Sequence, residues 1–116
     1  MRALVFLKSI TVNLSGASAS YVDLLAQVGV VPRQIEPQAD LRSNPTYRVG
    51  VSLSKVATGT LTYDHADATL TDLGTDAPAS PSVLPGTRQY FHWCLYNGTS
   101  PATGGAADNI LIKCYG

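Results

Sequence analysis

Apolar and polar residues alternate along the first stretch of this chain. Leu4, Phe6, Ile10, Val12 and Leu14 fall on one parity, and Ser9, Thr11 and Asn13 on the other. A period of two predicts a half-buried strand over residues 4–14. Lys8 interrupts the apolar parity and marks a bulge or the solvent edge. The period then changes. Tyr21, Leu24, Leu25 and Val28 stand at i, i+3, i+4 and i+7, which predicts a short helix over 20–28. Ser20 can cap its start, Asp23 suits the positive end, and Gly29 suits the stop.

Residues 30–46 carry Pro32, Pro37 and Pro45, and the middle of this stretch reads as an extended connection over the surface. Tyr47, Val49, Val51 and Leu53 alternate with polar and small residues and predict a strand. After a turn at Ala57-Thr58-Gly59, Leu61 and Tyr63 open another. Ala66, Ala68 and Leu70 continue it on the opposite parity, a phase switch that a bulge near Asp64-His65 explains. Residues 74–87 hold three prolines and two glycines and read as a long loop.

Residues 88–97 and 108–115 are both strand-like, with a Gly, Ser, Thr and Ala-rich connection between them. They read as a hairpin in which Leu95 faces Ile110, Trp93 faces Ile112 and Phe91 faces Cys114. One face of that hairpin is wholly apolar. The whole pattern predicts a mainly β chain, one domain over residues 1–116. It would be an antiparallel β-sandwich or a curved sheet, with one short helix in the N-terminal half.

Composition changes this picture in one respect. Charged residues are 14% of the chain, with 8 Lys plus Arg against 8 Asp plus Glu, so the net charge is zero. An average soluble domain carries about 25%. Ser and Thr, 21 in all, must supply much of the polar surface. A neutral, charge-poor surface resists self-association weakly and offers no basic field for nucleic acid. Arg2 followed by Ala3-Leu4-Val5-Phe6-Leu7 imitates a signal peptide, but the apolar run is too short and a retained strand is expected. No stretch is long enough to span a membrane as a helix.

Catalytic, metal and cofactor sites are not expected. Cys94 and Cys114 point to opposite faces of the expected hairpin and cannot bridge each other there. His92 and Cys94 share a face two residues apart, but a nucleophile needs its base within hydrogen-bond reach and a third group to orient the base. Asp64, His65 and Asp67 offer too few ligands for zinc or a hard cation. Asn97-Gly98-Thr99 is a turn before it is a sequon. The polar face of the hairpin is the candidate site. It collects Tyr90, Tyr96 and Tyr115 with Arg88, His92 and Lys113. Aromatic rings with cations suit a protein interface, a sugar ring or single-stranded nucleic acid.

Three strings, "TYRVGVSLS", "TLTYDHADATL" and "SVLPGTRQYFHWCLYN", resemble coat proteins of single-stranded RNA bacteriophages. The resemblance implies a curved antiparallel sheet that binds an RNA hairpin, dimerises and closes into an icosahedral shell. That family ends in amphipathic helices, whereas this chain ends in the strand-like "NILIKCYG". Its basic RNA-facing residues map only onto Arg48 and Arg88, and no RNA contact is assigned from them. In composition the chain also resembles small capsid decoration and cement proteins. The expected function is that of a phage structural protein in the virion, a coat or capsid-decorating subunit. It would associate with copies of itself or with a major capsid protein. Nucleic acid is the less favoured partner, and no membrane is expected. The alternative is a carbohydrate-binding β-sandwich module using the same tyrosines.

Overall fold

A computed structural model describes residues 5–52, 71–74, 84–85 and 89–116. The described elements are nine strands and one helix. They are β1 (Phe6–Asn13), β2 (Ala19–Asp23), α1 (Leu24–Val28), β3 (Gln34–Leu41), β4 (Arg48–Ser52), β5 (Thr71–Gly74), β6 (Leu84–Pro85), β7 (Tyr90–Asn97), β8 (Ser100–Pro101) and β9 (Asp108–Tyr115). They form two antiparallel sheets. One has the order β1-β9-β3-β6; the other has β2-β7-β4-β5, with β8 folded back on the end of β7. The expected turn at 57–59, the strand with a bulge over 61–70 and most of the 74–87 loop lie outside the described residues.

A single core lies between the sheets. Ile10, Ile35, Ala39, Ile110, Ile112 and Cys114 come from the first sheet and Val49, Val51, Phe91, Trp93 and Leu95 from the second. Alternation explains the composition of this layer, since each strand sends every second side chain inward. The parity expected for residues 88–97 and 108–115 is therefore correct, but their pairing is not. β7 pairs with β2 and β4, and β9 pairs with β1 and β3. Phe91, Trp93 and Leu95 meet Ile110, Ile112 and Cys114 across the sandwich, not within one sheet. The chain between them turns back tightly at Gly98, whose φ of 62° is left-handed, and then crosses to the other sheet.

Two further expectations need correction. Residues 20–23 are strand, not helix. Ala19–Asp23 pairs with β7 along its whole length, and this pairing outweighs a helical period only two turns long. The helix begins at Leu24, capped by Asp23, which accepts from Ala26 N at 3.1 Å, and stops at Gly29 (φ 93°) as expected. The stretch after it is not all surface connection, because β3 is a buried strand beside β9. Pro37 is tolerated there for a geometric reason. Arg42 N donates to Ala107 O, so in this ladder the even residues of β3 bond to β9. Pro37 then turns its nitrogen away from β9, toward the side where β6 pairs only with Gln34 and Ile35.

Lys8 marks a bulge as expected: the β1–β9 register shifts between Phe6 and Lys8. Near the opposite end of the first sheet, buried Asp108 ties three segments together. One carboxylate oxygen accepts from Ser43 N (2.9 Å) and Asn44 N (3.1 Å), the other from Asn44 Nδ2 (2.7 Å) and Gly105 N (2.8 Å). The backbone oxygen of Asp108 accepts from Leu14 N, which closes the end of β1.

Candidate functional site

The alternation of β7 that sends Phe91, Trp93 and Leu95 inward places Tyr90, His92, Cys94 and Tyr96 on the outer face of the second sheet. Cross-strand register adds neighbours on both sides. Asp23 lies beside Tyr90, Tyr21 and Ser52 flank His92, Ala19 and Gly50 flank Cys94, and Arg48 lies beside Tyr96. This face is not open. His92 is 1% exposed, Cys94 0% and Tyr96 7%.

The rings on it are set against one another edge to face. Tyr21 and Tyr90 lie 5.7 Å apart at 90°, and Tyr90 and His92 lie 6.5 Å apart at 70°. Tyr21 and His92 are less steeply inclined, at 5.7 Å and 34°. Gln89 Nε2 holds both oxygens of Asp23 at 3.2 Å, which fixes the start of α1 against this cluster. His92 Nδ1 is buried with no hydrogen-bond partner. Burial pushes the Cys94 thiol up to about 11, against a backbone hydrogen bond at Gly50 that works the other way. A thiol so placed stays protonated at neutral pH and is a poor nucleophile.

The structure separates the expected platform. Tyr90, His92 and Tyr96 are on the second sheet, whereas Lys113 and Tyr115 are on β9, on the outer face of the first. The hairpin that would have joined them does not form, so these five residues do not share a face. Arg88 lies outside the described residues, as do Asp64, His65 and Asp67. Lys113 is exposed and lies between Ser9 and Glu36. Tyr115 stacks edge-on with Phe6 at 5.7 Å and donates to Glu36 Oε2 at 3.2 Å. Partial burial and then the Glu36 carboxylate raise the Tyr115 hydroxyl above its usual value. Among the described residues no group of three or more His, Cys, Asp and Glu is placed to hold a metal ion. No helix among them is long and apolar enough to cross a membrane.

Two accessible features remain. The first is a flank. Among the described strands β1 is the edge of one sheet and β2 the edge of the other, and a cavity of about 280 Å³ opens between them. Residues 10–12 of β1, residues 21–23 of β2 and Gln27 line it. The second is an apolar end, where Val5 is 62% exposed, Phe6 55% and Val30 51%. Reciprocal hydrogen bonds between Val5 and Gly116, and one from Arg33 N to Tyr115 O, gather these segments at one end of the sandwich. An apolar run at a chain end was visible in the sequence.

Compared with known proteins, the chain matches no family model, no curated protein and no solved structure.

Proposed function

We propose that this chain is a structural subunit of a virus particle, a coat or capsid-decorating subunit that works by non-covalent association with copies of itself or with a shell protein. The observation that carries this reading is the apolar end. Large side chains at Val5, Phe6, Leu7, Val30 and Val31 stand in solvent at one end of a small sandwich. Exposed apolar surface gathered in one place favours a protein contact. The low charge supports the same reading, because neighbours can pack without burying many unpaired ions.

The alternative use of the tyrosines has less support. Stacking on sugars or bases wants rings presented flat, and Tyr21 and Tyr90 stand perpendicular to each other. His92 and Tyr96 are buried and offer no platform.

Gradient sedimentation of the purified full chain, with negative-stain microscopy of the fractions, tests the reading. The expected result is regular oligomers or particles, or binding to a preformed phage shell. A chain that stays small, ignores shells and retains a glycan, losing it in Tyr21→Ala, would establish the carbohydrate-binding module instead.

A further inference from the structure

The flank between β1 and β2 has an unusual hydrogen-bonding state. Leu14 N donates to Asp108 O, which fixes the alternation of the β1–β9 ladder. Ile10 and Val12 turn their backbone groups to β9, and Ser9, Thr11 and Asn13 turn theirs away from it. The same logic holds on β2. Leu95 N donates to Ser18 O and Leu24 N to Gln89 O, so Ala19, Tyr21 and Asp23 direct their backbone groups outward. Among the described residues, both sheets therefore present an unpaired edge on the same side of the molecule. Ser9, Thr11 and Tyr21 are exposed there.

β1 runs eight residues without a proline. Its bulge, Lys8 and a bond from Lys8 Nζ to Gln27 O of α1 (2.8 Å) protect its first half, and the usual protections of an edge are sparse from Ser9 to Asn13. Unpaired edges of this kind are completed by another strand.

We propose that a second copy of this chain completes them, with β1 antiparallel to its symmetry mate and Thr11 on the two-fold axis. The inference rests on the assembly reading above and names its interface. Three observations select a second copy in this register. The outward-facing residues of β1 are odd-numbered, so centring on Thr11 pairs Thr11 with Thr11 and Ser9 with Asn13, each with backbone groups facing. The inward row continues as Ile10 against Val12, so the apolar layer runs on across the junction. Lys8 falls opposite Leu14, well away from the other Lys8.

The second sheet agrees with this axis. The cavity sets residues 21–23 of β2 level with residues 10–12 of β1, so an axis through Thr11 passes close to Tyr21. An eight-residue strand is ~27 Å long. With the molecule 23 Å across its thinnest direction, the flank would cover ~600 Å² per copy, or ~1,200 Å² in total. That reaches the lower bound of stable, specific interfaces.

The test is sedimentation equilibrium on the full chain, wild type against Thr11→Pro and Thr11→Lys. Far-ultraviolet circular dichroism and Trp93 fluorescence report whether each variant is folded. Thr11→Pro removes an outward N–H and leaves the bonds to β9 in place. Thr11→Lys sets two like charges together on the axis. The expected result is wild-type association in multiples of a two-chain unit, twice 12.2 kDa. The folded variants should dissociate at least ~100-fold more readily. Should Thr11→Pro fail to fold, Thr11→Lys decides alone. Wild-type association that both folded variants retain unchanged would overturn this interface and leave self-assembly standing. A wild type that remains a 12.2 kDa monomer at millimolar concentration would overturn both.

Discussion

Replacing Asp108 by Asn changes one carboxylate oxygen to an amide and almost nothing in volume. The native carboxylate is fully buried and accepts four hydrogen bonds, two on each oxygen. In Asp108→Asn one side of the group becomes a donor. Whichever way the new amide turns, at least one backbone donor then faces another donor. If it keeps the Ser43 and Asn44 backbone bonds, Gly105 N loses its acceptor, and Asn44 Nδ2 either loses its own or turns its amide oxygen in to accept. Hydrogen bonds to a charged group contribute about 1.5–3 kcal/mol each, so losing one or two costs about 1.5–6 kcal/mol. A domain of this size has only about 5–15 kcal/mol in total.

The substitution should also alter the acid limb. Burial tends to raise the Asp108 carboxyl, but the bonds from Gly105, Asn44 and Ser43 outweigh it and hold the group below its usual value. A depressed folded value means that the unfolded chain binds the proton first. The contribution is complete above the unfolded value, about 3.9, and is lost as pH falls through the folded one. Urea titrations at pH 7 and at a series of lower pH values measure both effects. A variant within about 0.5 kcal/mol of wild type at pH 7 would refute the clamp.

Gly104 packs where a Cβ would overlap the backbone oxygen of Leu14, and backbone cannot rotate aside. Gly104→Ala should lower stability by about 2–3 kcal/mol in a thermal or urea melt, and an unchanged midpoint would contradict this. Cys94 and Cys114 are both unpaired and buried, and burial raises both thiols, with the charge of Lys8 partly opposing this at Cys114. A thiol reagent at pH 8 should label the native chain at least ~100-fold more slowly than the urea-unfolded chain, and equal rates would show that the thiols are accessible. Trp93 is 2% exposed at the centre of the core, so Trp93→Ala should cost about 3–5 kcal/mol by urea titration. A loss below about 1 kcal/mol would mean that the sheets do not pack through it.

Side-chain parity was legible in the sequence, and strand partnership was not. The alternation of Phe91, Trp93 and Leu95 and of Ile110, Ile112 and Cys114 placed both sets in the core. Two strands with matched apolar faces can share a core by lying side by side or by facing each other across a sandwich, and periodicity is the same in both cases. The candidate platform failed with that choice, because Lys113 and Tyr115 followed β9 into the other sheet. Gly29 as a helix stop and Lys8 as a bulge were legible because each depends on local geometry. The start of the helix was not, because Ser20 and Tyr21 gain more from pairing with Trp93 and His92 than from two helical turns. Pro37 misled for a related reason. Proline excludes a strand only where its nitrogen faces a partner, and that direction is fixed by the ladder. Edge status is a property of the assembled sheet, so the open flank had no signature in the chain.

Light-scattering mass across a concentration series on a sizing column, with absorbance read at the protein and nucleic-acid maxima, tests the assembly reading most directly. Self-association predicts a mass well above 12.2 kDa that grows with concentration, at a protein-like absorbance ratio. A constant 12.2 kDa at every concentration would contradict self-association of this chain.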